Sequence, residues 1–132
     1  MPNVVTLDMN TPSVQYLCKK DKRLARVIKM VGPIQYTSHD ENAYSFLTHE
    51  IIEQMLSVKA GQKIYGRLED LCDGMVTPER IAALNDDEIR GTGTSSSKVR
   101  CIRSVTEAVL CGDLDFNKID MLSDEEVICA LT

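Results

Sequence analysis

The sequence predicts an all-α protein, and three observations lead to that fold class. Apolar residues recur every three to four positions in several segments, which is the period of one face of a helix. Only 5% of the 132 residues are aromatic and tryptophan is absent, so aliphatic side chains and methionine supply the core, which suits packing of helix on helix. Cap residues and glycines separate the periodic segments. We therefore expect a bundle of about seven helices and no sheet.

The N-terminal third divides into a leader, a helix and a connection. Residues 1–12 contain two prolines and no sustained period, and they are expected to form a loose leader before a single domain over residues 13–132. A first helix is predicted over residues 13–31, because apolar residues recur there at helical spacing and Gly32-Pro33 follows. Residues 34–42 are interpreted as a polar connection.

A broad apolar stripe marks residues 43–61 as the central helix of the predicted bundle. Ala43, Leu47, Ile51 and Met55 lie four apart, so they fall on one helical face. Such a stripe is typical of a helix that is buried on most sides by other helices. The residues that widen this face are Phe46, Ile52 and Leu56.

The remaining helices are predicted from caps and stop signals. Thr77-Pro78 combines an N-cap hydroxyl with proline at the first helical position. Ser123 and Glu126 form a capping box, which starts a last helix. Gly74 and Gly112 are stop signals. The other predicted helices cover residues 58–73, 78–84, 86–90 and 96–110.

Charge and cysteine content limit the function classes. The net charge of −5 argues against binding nucleic acid through overall electrostatics, so any DNA contact must be local. Residues 89–106 contain four basic residues and no acidic one, which indicates a solvated helix face or a phosphate contact.

The five cysteines are odd in number and scattered, as free thiols are. No signal peptide or apolar run of about 20 residues is present, so no membrane contact and a cytoplasmic location, or a nuclear one in a eukaryote, are expected.

Signals for cofactor or metal chemistry are weak. Residues 91–97 are rich in glycine and serine, but they lack the Lys-Ser/Thr ending and the preceding strand of a P-loop. His49 and Glu53 stand four apart on the central helix, yet two ligands do not make a metal site and a solvated polar face is the alternative. No cofactor, no metal and no catalytic residue are therefore predicted within the chain.

Four segments resemble the alkylpurine (3-methyladenine) DNA glycosylases of the helix-hairpin-helix superfamily, and along the chain they occur in the family's order. Residues 51–61 read Ile-Ile-x-Gln-Met-Leu-Ser-x-x-Ala-Gly, similar to the family's Ile-Ile-x-Gln-Gln-Leu-Ser-x-x-Ala-Ala. Residues 93–102 are similar to its Gly-Leu-Ser-x-x-Lys-Ala-x-x-Ile, and Thr77-Pro78-Glu79 matches its Thr-Pro-Glu cap. Residues 122–132 follow its Leu-Ser-x-Glu-Glu segment. The resemblance covers residues 21–132 and implies the six-helix barrel part of such an enzyme.

The resemblance implies base excision on double-stranded DNA that contains a damaged base. Family members flip the damaged nucleotide out of the duplex and cleave its N-glycosidic bond. Met55 corresponds to the residue that fills the vacated space, although periodicity alone would place it in the core. Gln54 and Ser57 are candidate strand contacts, with helix capping as the alternative. The turn that contains Gly93, Ser95 and Lys98 is the candidate phosphate contact.

Two parts of the family's machinery would lie beyond Thr132, namely the hairpin and the catalytic Asp. We therefore expect residues 1–132 to be inactive alone, as an N-terminal portion. The alternative is a non-catalytic helical module that binds DNA or a protein. In the family the first helix packs on helices after the hairpin, so exposed apolar residues and a homodimer are expected here. The residues expected at this surface are Leu24, Val27, Ile28, Val31, Val127, Ile128 and Leu131.

Overall fold

A computed structural model of the chain describes residues 3–37 and 42–132. These residues are mostly helical, which confirms the predicted all-α class, with eight α-helices and one small sheet among them. Their contacts group the chain into two compact units, residues 1–40 and residues 41–132. The single domain over residues 13–132 stays a prediction. In the described part, no helix combines the length and the apolarity needed to cross a membrane.

The first unit contains a two-stranded sheet that the sequence reasoning missed. Strand β1 (Val4–Leu7) pairs antiparallel with β2 (Ile34–Thr37), so that Val4 lies opposite Thr37. The prediction of a loose leader over residues 1–12 is therefore wrong for residues 4–7, and the absence of any sheet is wrong too. β-Branched residues favour strands, and both segments contain them. Residues 38–41 of the predicted connection lie outside the described residues.

Asp21 divides the predicted first helix into two. Helix α1 (Pro12–Lys20) ends where Asp21 adopts an extended backbone, and α2 (Lys22–Val31) begins there. The Asp21 carboxylate accepts hydrogen bonds from the N–H groups of Arg23 (2.9 Å) and Leu24 (3.1 Å). This N-cap satisfies donors that a new helix leaves unpaired. The single helix over residues 13–31 was therefore a wrong prediction.

The described residues of the second unit form six helices and one short 3-10 turn. The order follows the predicted sequence of caps, with α8 starting in the Ser123–Glu126 capping box. Helix α7 packs against α3, α5 and α6, and α3 packs against α4. The bounds are α3 (Ala43–Glu53), α4 (Val58–Leu71), α5 (Pro78–Ala83), α6 (Asp86–Gly91), α7 (Ser96–Cys111), the 3-10 turn (Ile119–Met121) and α8 (Asp124–Leu131).

The buried face of α3 lies one position further along the chain than the predicted face. Tyr44, Thr48 and Ile52 are buried, whereas Met55 is exposed. The polar atoms of this face are satisfied: the Tyr44 and Thr106 hydroxyls lie 2.6 Å apart and Thr48 donates to the Tyr44 carbonyl. Buried hydroxyls with partners cost little. The prediction that Ala43, Leu47, Ile51 and Met55 form the core face was wrong for Ala43 and Met55, which are exposed.

The core of this unit is mostly aliphatic and joins five helices, α3 to α7. Burial of apolar area is the main favourable term in folding, and several members of this core are fully buried. This core fixes the ends of α3, α4 and α7, which border the candidate site described below. Its central residues are Tyr44, Ile52, Leu68, Cys72, Ile81, Ile89, Val99 and Ile102.

Candidate nucleic-acid interface

The loop between α3 and α4 ends the helix that was predicted to continue to residue 61. Helix α3 stops at Glu53, because Gln54 leaves the helical conformation (φ −52°, ψ 127°). The Leu56 N–H donates to the Glu53 carbonyl at 2.9 Å, which closes a tight turn. Ser57 is the N-cap of α4, and its hydroxyl accepts from the Ala60 N–H at 3.2 Å. The loop therefore has a defined shape at both ends.

Met55 is the most exposed apolar side chain of this loop. Its backbone has φ 64°, in the left-handed region, and its relative exposure is 96%. The left-handed conformation costs a non-glycine residue about 1 kcal/mol or more, so it persists only where the surroundings fix it, and such residues cluster at functional sites. The structure thus places an unbranched apolar side chain in solvent on a strained backbone.

Lys98 connects this loop to the first turn of α7. Its ammonium donates to the carbonyl oxygens of Ile52 at 2.7 Å and Gln54 at 2.6 Å. The last carbonyls of a helix have no partner within the helix and carry partial negative charge, so a cation is favourable there. The predicted residues Gln54, Met55 and Ser57 are thereby brought beside Lys98. The phosphate contact expected of Lys98 stays a prediction, and in the structure its ammonium is bound to these two carbonyls.

The turn before α7 is shaped by packing against α4. Gly93 has φ 106°, and a Cβ there would lie 3.2 Å from Ile64 Cγ1, so glycine meets both the backbone and the packing requirement. The Arg67 guanidinium donates to the Thr92 carbonyl at 3.0 Å. The Ser95 hydroxyl accepts from the Lys98 N–H at 3.4 Å as the N-cap of α7.

The N-terminal end of α7 suits an anion. The first N–H groups of a helix have no acceptor within the helix, and the helix dipole makes this end positive. The exposed residues here are Ser95, Ser96 and Ser97, and exposed Arg100 follows one turn later. A phosphate can therefore be bound by backbone N–H groups beside the Met55 loop. The phosphate contact of Gly93 and Ser95 stays a prediction.

The Arg103 guanidinium is occupied by bonds inside the protein. Its guanidinium donates to Asp86 Oδ1 at 2.7 Å, to the Ile81 carbonyl at 2.9 Å and to the Leu84 carbonyl. Of the four basic residues within residues 89–106, only Arg90 and Arg100 have exposed side chains without such bonds to the described part of the chain. The sequence alone gave no signal for this difference.

The His49–Glu53 pair lies on α3 where this helix packs against α4. His49 Nε2 lies 2.9 Å from Glu53 Oε1, and the His49 ring stacks on Tyr65 with centroids 4.1 Å apart. A Cβ on Gly61 would lie 2.5 Å from Glu53 Cγ, so α4 approaches α3 closely here. The described residues hold no cluster of three or more His, Cys, Asp or Glu side chains that could bind a metal ion. The contact of this pair with α4 is the stacking of His49 on Tyr65.

Comparisons with known proteins agree with the resemblance. Residues 48–130 match the family profile described as HhH-GPD superfamily base excision DNA repair protein. The chain is 27% identical over 122 residues to DNA-3-methyladenine glycosylase 1 of Schizosaccharomyces pombe, covering 89% of this chain and 54% of that protein.

Two solved structures are also similar. The DNA-3-methyladenine glycosidase from Bacillus halodurans has a TM-score of 0.80 and 33% identity, covering 96% of this chain and 58% of that one. The S. pombe 3-methyladenine DNA glycosylase in complex with abasic DNA has a TM-score of 0.72 and 27% identity, covering 92% and 61%. The chain thus spans a little over half the length of each relative.

Proposed function

The chain belongs to the HhH-GPD superfamily of base excision DNA repair proteins, and from that premise we propose that it acts in excision of alkylated purines from double-stranded DNA. The observation that carries the proposal is Met55, which is fully presented to solvent by a left-handed backbone. By the resemblance, no residue within 1–132 corresponds to the family's catalytic Asp. The contribution proposed for this chain's own residues is therefore recognition of the damaged site.

In this proposal Met55 enters the duplex where a nucleotide has left the base stack. Unstacking and unpairing a base costs a few kcal/mol, and less at a damaged position. An apolar wedge recovers part of that cost by stacking into the vacated space. Methionine suits this role because it is unbranched and polarizable and requires no hydrogen-bond partner. Gln54 and Ser57 flank the wedge, where each can contact the DNA backbone.

Phosphate binding is assigned to the N-terminal turn of α7. Its exposed serines and Arg100 lie beside the loop that Lys98 ties to α7. Because the net charge of the chain is −5, general attraction to DNA is weak and these local contacts supply the affinity.

The wedge is tested by binding to two matched duplexes, one intact and one with a stable abasic analogue. We expect the chain to prefer the abasic duplex and Met55→Ala to lose about tenfold of that preference, equivalent to ~1.4 kcal/mol. Met121→Ala is the matched control, because Met121 is 86% exposed and lies outside the loop. Equal binding by the two variants would remove the basis for the proposal.

Catalysis gives a second measurement. Electrostatic stabilisation of a transition state contributes several kcal/mol, and the residue that supplies it in the family has no counterpart in residues 1–132. We therefore expect no release of alkylated purines from methylated DNA by this polypeptide. Multiple turnovers by a pure sample would contradict that expectation and would direct the search to carboxylates near the loop.

A second copy of the chain is also a proposed partner. In the first unit, α1, α2 and the sheet border an apolar groove of about 470 Å³. In the second unit, Ile128 and Leu131 on α8 are exposed. Large exposed apolar patches are uncommon on monomers and mark interaction sites. The large apolar residues exposed at the groove are Met9, Leu17, Leu24, Val27, Val31 and Ile34.

A further inference from the structure

We propose that Lys98 is a positioning residue that holds Met55 in its outward conformation. The inference rests on the proposed function, in which Met55 enters the duplex. It replaces the phosphate contact with a different role, since Lys98 would act on DNA only through the loop between α3 and α4.

The two carbonyls bound by Lys98 fix the backbone immediately before Met55. The Ile52 carbonyl belongs to the last turn of α3, and the Gln54 carbonyl belongs to the peptide group that enters Met55. One ammonium binds both, at 2.7 and 2.6 Å. The φ angle of Met55 is the rotation about its N–Cα bond, which directly follows that peptide group in the chain. The orientation of the peptide group and this angle are therefore coupled. Holding the Gln54 carbonyl therefore restricts Met55.

The restriction is needed because the left-handed region is unfavourable for methionine. On its C-terminal side the loop is held by the Leu56 N–H bond to the Glu53 carbonyl at 2.9 Å. On its N-terminal side the Lys98 ammonium supplies the corresponding contact. Charge-assisted hydrogen bonds are stronger than neutral ones, and a cation at a helix C-terminus gains from the dipole. Without Lys98, Met55 is expected to populate other conformations and to lose its fixed direction.

The same contacts distinguish Lys98 from its neighbour Arg100. Lys98 is partly buried and its ammonium is already bonded twice, so a phosphate would have to replace those bonds. Arg100 lies in the same part of α7 and is exposed, with no hydrogen bond or ion pair to the described part of the chain. One cation is therefore suited to shaping the loop and the other to DNA phosphate.

The test measures binding of the full chain to fluorescent abasic and intact duplexes over a series of salt concentrations. Lys98→Met should lower the preference for the abasic duplex about fivefold, because apparent affinity scales with the fraction of competent conformer. The salt dependence of DNA binding by Lys98→Met should equal that of the parent. The double variant with Met55→Ala should lose no more preference than Met55→Ala alone, and Lys98→Arg should retain most of it. Arg100→Gln should weaken both duplexes equally and reduce the salt slope by about 0.9.

A DNA-free measurement separates this proposal from the proposed function. Hydrogen exchange of the Leu56 amide, followed by NMR, should be about tenfold faster in Lys98→Met than in the parent or in Arg100→Gln, since local opening sets that rate. If the parent chain shows no preference for the abasic duplex, the wedge proposal fails. Unchanged hydrogen exchange of the Leu56 amide in Lys98→Met would separately overturn the role of Lys98.

Two binding results would also overturn it. The first is that Lys98→Met weakens binding to both duplexes equally and lowers the salt slope. The second is that the double variant loses the sum of the preferences that Lys98→Met and Met55→Ala lose separately. Should Lys98→Met lower the Tm by more than ~10 °C, Lys98→Gln, which keeps a donor group, replaces it in the same series.

Discussion

At residue scale, Met55 shows how a turn after a helix places in solvent an apolar side chain that periodicity assigns to the core. The spacing of Met55 matches the predicted apolar stripe, but α3 ends at Glu53 and Met55 lies in the following turn with a left-handed φ of 64°. Glycine adopts this angle without steric cost, whereas alanine does not. We expect Met55→Gly to be about 1 kcal/mol more stable than Met55→Ala, the reverse of their order inside a helix. Urea unfolding of the two variants measures this, and alanine being the more stable would contradict the assigned backbone.

Tyr44 provides a prediction on pH. Burial raises the pKa of the Tyr44 phenol above its ordinary value of 10.0, even though the hydrogen bond with Thr106 opposes that shift. The folded state favours the neutral phenol, so this contribution to the free energy of unfolding is complete below pH 10 and is lost as the pH rises through the raised pKa. As the pH rises above about 10, the parent should lose stability more steeply than Tyr44→Phe, as judged from urea midpoints. Parallel curves would contradict the buried phenol.

At element scale, the turn before α7 depends on Gly93. A side chain there meets Ile64 at 3.2 Å and requires φ 106°. Gly93→Ala should therefore lower the free energy of unfolding by ~1–3 kcal/mol. Gly91→Ala is the matched control, because a Cβ at Gly91 has no neighbour within 4 Å and alanine favours a helix. Thermal melts should separate the two variants, and equal melting temperatures would mean that α4 does not constrain the turn.

Elements with local signals could be predicted from the sequence, and elements with distant determinants could not. Helices α5 and α8 begin at caps whose donor and acceptor lie within three residues. The end of α3 is bound by Lys98, 44 residues later in the chain, and β1 pairs with a strand about thirty residues away. The same division applies to the site. The motifs identified the loop and the turn, while the contact of Lys98 with the loop required three-dimensional packing. Asp21 was an available N-cap signal that the continuous apolar period hid.

At the scale of the whole molecule, exposed apolar surface predicts self-association. Val27 and Val31 on α2 are 53% and 63% exposed, and Ile128 on α8 is 62% exposed. Burial of apolar area contributes about 25 cal/mol per Å², so pairing of such surfaces is favourable. Light scattering at micromolar concentration should give the mass of a dimer. Replacing Val27 and Val31 by glutamate should give a monomer, whereas Met30→Glu, on an 86% exposed residue of the same helix, should not. A monomeric parent would contradict the proposal.

The three bonds of Arg103 also determine which parts of the second unit can exist without the others. Helices α5 and α6 have six residues each, and isolated helices shorter than about 12 residues are marginal in water. A single guanidinium on α7 binds the last carbonyls of α5 and the first acidic residue of α6. These two helices are therefore expected to form and to unfold together with α7, as one cooperative segment. Helix α7 also carries Lys98. A substitution at Asp86 that loosens this segment is therefore expected to alter the loop that presents Met55.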